Sequence, residues 1–213
     1  NLLKMEEVDK LRTELRLRGF SPLTVRNYSF FVEKFLAGCG KNAEELSEED
    51  AKIYLSKLFD SKSKNTIMLA AASLKFFYKD ILGKEFSQIK MPKKERKLPE
   101  VLKKSEVRDL IDSADNRKSK LIISLLYSSG LRVSEIVNLK VDNLNFEDNL
   151  GWVRQGKGNK DRLFSISGNL SEELKTYIEE KKHKSYVFSK DKPLTTRNIQ
   201  KIVKTTKQKA KIN

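Results

Sequence analysis

Residues 84–104 read KEFSQIKMPKKERKLPEVLKK. Pro92 and Pro99 each remove a backbone donor and crowd the preceding turn, so no continuous helix crosses this stretch. Lysine and arginine dominate it, and no helical period is sustained. A 213-residue chain broken here is too segmented to be one uninterrupted bundle. The break predicts a helical domain over 1–84, a basic linker over 85–103 and a second domain over 104–213, each able to bury its own core.

The first domain reads as four helices. Val8, Leu11 and Leu15 form one stripe over residues 5–18, and Gly19 stops it. Ser21-Pro22 is a start signal, with Ser21 as cap and Pro22 in the first turn. That helix carries Tyr28, Phe31, Val32, Phe35 and Leu36, and Gly38 and Gly40 end it. Ser47, followed by Glu48, Glu49 and Asp50, opens a third helix, with carboxylates where the dipole favours them. A fourth spans 65–82 and closes at Gly83.

The second domain opens with a helix capped by Ser105 and a strongly apolar one over 118–128, predicted to be central and buried, Tyr127 included. Then the period changes. NLGWVRQGKGNKDRLFSI predicts two short strands, 151–155 and 161–166, around a Gly-rich turn, with Trp152 packed under the hairpin. Ser171 opens another helix, Tyr186-Val187-Phe188 is a short extended piece, and Thr195 or Thr196 caps a last helix to about 210. The fold class expected is therefore mainly α with a small β-hairpin or sheet, in two domains.

The last helix brings charge into the argument. Ile199, Ile202 and Val203 give it an apolar face, while Arg197, Gln200, Lys201, Lys204 and Lys207 lie largely on the other. A helix with a uniformly basic polar face suits docking on phosphates or entry into a major groove. The whole chain has 44 basic against 29 acidic residues, a net charge of +15 and a pI near 9.7. A heat-adapted surface would be nearly balanced in sign, so this excess points to a nucleic-acid partner. Lys93, Lys94 and Arg96 of the linker read either as a solvated charge run or as a strap along a DNA backbone. One cysteine excludes an internal disulfide and fits a reducing cytoplasm. With one histidine besides, no zinc site is expected. No run of residues is apolar enough for a membrane span, so no membrane partner is expected.

Two residues could carry chemistry on a phosphate. Arg132, in SSGLRVSEIVNL, follows a Gly-Leu turn between two helical segments, and its planar fork can hold two phosphate oxygens. Lys157, in GKGNK at the hairpin tip, could give a proton to a leaving oxygen, because a lysine pKa falls in a cationic site. Glu135 either orients the Arg132 guanidinium or forms a local ion pair with it. The Gly-Lys-Gly tip lacks the spacing of a P-loop.

In order along the chain, these pieces resemble the tyrosine recombinases of the phage-integrase class, most closely the Xer-type chromosome-dimer resolvases. SPLTVRNYSFFVEKFL resembles the helix of that family's core-binding domain, and MPKKERKLPEVL its linker. LKKSEVRDLI resembles the opening of its catalytic domain. YSSGLRVSEIVNLKVDNL resembles the first arginine motif, GWVRQGKGNKDRLFSI the lysine hairpin, and TTRNIQKIVKTTKQKA a DNA-facing helix.

The resemblance implies a SAM-like N-terminal bundle and an α+β catalytic domain that together clamp duplex DNA. It also implies no metal or cofactor, and homo-oligomers from dimer to tetramer on the DNA. Arg132 is expected to be held inward against the scissile phosphate, Glu135 to support it, and Lys157 to protonate the departing 5′ oxygen. Lys160 and Arg162 are expected on the DNA backbone. The family's His-x-x-Arg motif and tyrosine nucleophile have no counterpart among these residues. His183 leads into Lys-Ser-Tyr, and none of the six tyrosines suits the nucleophile. The expectation is a catalytic domain truncated before those motifs, which binds DNA without cutting it while its parent recombines DNA in the cytoplasm, on the nucleoid. The competing reading is a DNA-binding regulator or architectural protein built on the same basic helices.

Overall fold

In the first eighty residues, three helices begin where a side-chain oxygen replaces a missing backbone partner. The computed structural model describes residues 2–86, 100–154 and 160–212. The chain divides into two compact units, Asn1–Leu98 and Pro99–Asn213. The first holds α1 (Leu2–Leu17), α2 (Pro22–Cys39), a 3-10 turn (Ala43–Glu45), α3 (Glu48–Phe59) and α4 (Lys64–Phe76). Ser21, Ser47 and Ser63 accept the backbone N–H of Thr24, Asp50 and Thr66 at the starts of α2, α3 and α4.

The α-helical pattern expected to run unbroken to residue 82 instead ends at Phe76 and widens into a π-helical turn, Phe77–Ile81. The wider turn lets two adjacent aromatics, Phe77 and Tyr78, both face the core, where both are fully buried. The Tyr78 hydroxyl donates to the Ser47 carbonyl at 2.7 Å, so it is satisfied where it is buried. Around these rings pack Leu11, Leu15, Val32, Phe35, Leu55 and Leu74. Beyond the bundle, the Lys84 ammonium donates to the carbonyls of Ala43 (3.2 Å), Glu44 (2.6 Å) and Leu46 (2.8 Å). A residue just past the last helix thus closes the unit on its own 3-10 turn.

The second unit holds α5 (Lys104–Asp112), α6 (Arg117–Ser129) and α7 (Val133–Val137), then three strands and α8 (Gly168–Lys181) and α9 (Thr196–Lys209). Strands β1 (Leu144–Asn145), β2 (Leu150–Val153) and β3 (Arg162–Ser165) form an antiparallel sheet in the order β1-β2-β3. The expected hairpin is thus joined by a third strand, whose two residues are too few to show a period. Two start signals lie elsewhere than expected. Lys103 precedes α5 because Glu106 accepts its N–H at 2.6 Å, which leaves Ser105 inside the helix. Ser167 precedes α8, and Ser171 is buried in its first turn.

Leu121, Ile122 and Leu125 of α6 are fully buried against Val153, Phe164, Leu174, Val187 and Ile199. Tyr127, expected inside, lies on the opposite face of α6 and is 58% exposed. The extended piece read at Tyr186–Phe188 is instead a buried turn: Tyr186 bridges Lys140 and Ser189, Val187 and Phe188 lie in the turn between, and Val187 donates to the Leu139 carbonyl at 3.0 Å.

Gly151 faces Phe164 across the β2–β3 ladder. A Cβ there would collide with the Phe164 ring, so the ring lies directly over the glycine backbone. Gly151→Ala is expected to destabilise the chain by about 1–3 kcal/mol, the usual cost of overpacking, measured by denaturant unfolding.

Asp50 supplies a pH dependence. It accepts from Lys41 Nζ at 2.7 Å and from the Ser47 N–H and hydroxyl at 2.9 and 2.8 Å. The Lys41 bond first, then the Ser47 bonds, lower its pKa from 3.8 to about 2. Its folded value lies below its unfolded one, so this stabilisation is complete above the unfolded value and fades as pH falls through the folded one. Urea midpoints of Asp50→Asn should therefore depend less on pH than wild type between about 4 and about 2.

Candidate active site

The C-terminus of α6 sets the position of Arg132. The Gly130 N–H bonds the Leu126 carbonyl at 3.2 Å, and Gly130 turns the chain with φ 61°, a conformation that side chains disfavour. Leu131 is then buried, and so are Ile136 and Val137 of the short α7. Arg132 sits between these anchors as the residue preceding α7, in extended conformation. Its backbone is fixed on both sides by apolar burial.

Its side chain is fixed by Glu135, whose carboxylate is only 5% exposed. One oxygen accepts the Arg132 N–H at 2.8 Å, and the other accepts Arg132 Nη1 at 2.7 Å. Glu135 therefore caps α7 and orients the guanidinium together, the two roles the sequence left open. Arg132 is 55% exposed, so it is held but not turned inward as expected. It keeps donors with no protein partner among the described residues. Solvent can reach those donors, and so can an anion.

A second guanidinium meets the same carboxylate. Arg162 opens β3, paired with Val153, and its Nη2 donates to Glu135 Oε2 at 2.7 Å. The same nitrogen reaches the Gly130 carbonyl at 3.4 Å. The expectation for Arg162 was contact with DNA, and this protein-internal pairing was missed. Its signal was indirect: a carboxylate at the third position of a buried short helix calls for more than one donor. Burial raises the Glu135 pKa, but the Arg132 N–H, the two guanidinium hydrogen bonds and the charge of Arg162 outweigh it and leave the pKa lowered. Two guanidinia and one carboxylate leave the cluster with a net positive charge.

The remaining expected residues fall into three groups. Lys160 is exposed, beside the ion pair that Arg154 makes with Asp161 at 3.1 Å. Trp152 is half-buried, with the Arg154 guanidinium 6.0 Å above its ring. Lys157, Lys93, Lys94 and Arg96 lie outside the described residues. On α9, Arg197, Gln200, Lys201, Lys204 and Lys207 are all exposed, while Ile199 is fully buried. None of those four cations makes an ion pair among the described residues. Lys209, at the end of the same helix, is held by Asp115. Helix α9 is capped by Thr195, which accepts the Asn198 N–H at 3.2 Å, and it packs against α5, α6 and α7. His183 Nδ1 lies 2.9 Å from the Val187 carbonyl, a structural contact. No cluster of metal-ligating side chains occurs among the described residues.

Glu135→Ala removes the α7 cap and the shared acceptor together. It is expected to cost about 1–3 kcal/mol in urea unfolding, the range for a lost cap and charge-assisted bonds.

Comparison with known proteins matches residues 100–213 to the phage integrase family and residues 8–88 to the phage integrase N-terminal SAM-like domain. The tyrosine recombinase XerA of Pyrococcus horikoshii is 35% identical over 221 residues, covering 100% of this chain and 76% of its own length. That of Thermococcus kodakarensis is 34% identical, covering 96% and 75%. Among solved structures, a crystal structure of XerA recombinase aligns at 26% identity and a TM-score of 0.50, covering 99% of this chain and 78% of that one. XerH bound to a palindromic difH substrate aligns at 19% identity and 0.76, covering 97% and 68%. A lambda integrase tetramer bound to a Holliday junction aligns at 16% identity and 0.76, covering 98% and 66%. The last two likenesses are of fold.

Proposed function

Since this chain belongs to the phage integrase family of tyrosine recombinases, we propose that it binds duplex DNA as part of a site-specific recombination reaction. The observation that carries the proposal is the Arg132–Glu135–Arg162 cluster, a fixed guanidinium with free donors and a surplus of positive charge. Such a group binds a phosphodiester in the ground state. It binds more strongly the extra charge that develops when phosphorus becomes five-coordinate.

In the reaction proposed, a tyrosine oxygen attacks the scissile phosphorus, and the bond to the 5′ oxygen breaks. The tyrosine proton leaves to a base, and Lys157 gives a proton to the departing oxygen. The products are a 3′-phosphotyrosyl link and a free 5′-hydroxyl. One phosphodiester replaces another, so a 5′-hydroxyl from a partner strand can reverse the step and join new ends. None of the six tyrosines is assigned the attacking role, so the 213 residues by themselves bind DNA without cleaving it. Arg197, Lys201 and Lys204, exposed on α9, contact the DNA backbone, with Lys160 and the linker residues Lys93, Lys94 and Arg96. Gln200 is free to meet a base edge or phosphate. Strand exchange follows between pairs of protomers through a Holliday junction, as dimers assemble into tetramers, on the nucleoid in the cytoplasm. That assembly is supported by the lambda integrase tetramer whose fold this chain shares.

The affinity of the chain for a duplex oligonucleotide is expected to fall steeply with salt. Lys201→Ala and Lys204→Ala should each reduce the logarithmic salt slope by about 1. A salt-independent affinity contradicts the reading. In a recombinase carrying this sequence and its nucleophile, Lys157→Ala should leave binding intact and slow cleavage by about 10²–10⁴-fold. Unchanged cleavage removes Lys157 from the mechanism.

A further inference from the structure

Arg162 stands in a different place from the cations expected to lie along DNA. We infer that it is a positioning residue: by sharing the Glu135 carboxylate, it offsets that negative charge where Arg132 meets a bound phosphodiester and ties the arginine turn to β3. The inference rests on the proposed phosphate contact of Arg132, and it assigns Arg162 a task other than touching DNA.

Charge is the first argument. Glu135 must be present, because its carboxylate caps α7 and orients Arg132. Left with Arg132 alone, however, that nearly buried carboxylate would form a neutral pair and would repel an approaching phosphate at close range. A second guanidinium on the same oxygen pair restores one net positive charge. The orienting group can then stay without cancelling the group it orients.

Geometry is the second. Arg162 is held by its backbone in the β2–β3 ladder, and its Nη2 bonds both Glu135 and, more weakly, the carbonyl of Gly130. Those two acceptors lie on either side of Arg132 in sequence. A residue that served only as a phosphate contact would not need to engage them. Arg162 is 36% exposed against 55% for Arg132, so it is the more enclosed of the two guanidinia. The Arg154–Asp161 ion pair joins the residues that immediately follow β2 and precede β3, next to Arg162.

The test uses the whole 213-residue chain and separates this inference from the proposed function. Carbon-detected NMR follows the Glu135 carboxyl through an acid titration in wild type, Arg162→Gln and Arg162→Lys. Its titration midpoint should rise in Arg162→Gln, which keeps a donor but not the charge, and return most of the way in Arg162→Lys. An unchanged midpoint in Arg162→Gln overturns the inference, whether or not the chain binds DNA.

Duplex binding supplies the second readout. Arg162→Gln should weaken it about 10-fold, and adding Glu135→Gln, which keeps one acceptor oxygen without the charge, should recover part of that loss, because the carboxylate that then neutralises Arg132 is gone. A direct DNA contact predicts no recovery, and that result also overturns the inference. Absence of duplex binding by wild type counts against the recombinase reading, while the carboxyl titration still decides the role of Arg162.

Discussion

A single carboxylate, Glu135, organises the catalytic unit. It accepts a backbone N–H and two guanidinia at 2.7–2.8 Å while almost wholly buried. Each bond has a separate consequence. The backbone bond starts α7, the Arg132 bond fixes the direction of a solvent-facing cation, and the Arg162 bond attaches the sheet to the turn after α6. A buried carboxylate is costly unless fully paired, and here it is fully paired by groups from two separate parts of the chain. The arrangement therefore forms only when the helices and the sheet have assembled. The geometry of the Arg132 guanidinium is a product of the fold and not a local feature of the Gly-Leu-Arg turn.

The N-terminal unit uses similar devices for a different end. Tyr78 and Lys84 both send donors to carbonyls around the 3-10 turn and the start of α3. The π-helical turn is what permits consecutive aromatics in the core, and the lysine that follows it closes the bundle immediately before the basic segment. Exposed ion pairs such as Arg12 with Glu33 add little beside this, since both partners remain in solvent.

Much of this was legible in the sequence because helix signals are local. Ser21-Pro22, Ser47 with its carboxylates, and Thr195 each carry their meaning within one turn, and each caps the helix read from it. Ser105 and Ser171 misled because a serine is an equally good cap wherever it falls, and Glu106 and the packing of α8 decided otherwise. Arg132 and Glu135 were visible as a pair at helical spacing. Arg162 was visible only as a basic residue after the hairpin, since its partner lies 27 residues earlier and the pairing depends on the register of β2 with β3. The exposure of Arg132 was misread for the same reason: spacing gives a residue's neighbours along the chain, while exposure depends on what packs across from it.

In the function proposed, Arg132 is a cation that meets a phosphodiester without being drawn away by its own orienting acid. A crystal structure of this chain on a duplex oligonucleotide tests that account most directly. The account predicts Arg132 within about 2.7–2.9 Å of a non-bridging phosphate oxygen while its bond to Glu135 persists. An Arg132 that bonds Glu135 alone, with the DNA backbone held elsewhere on the unit, would contradict it.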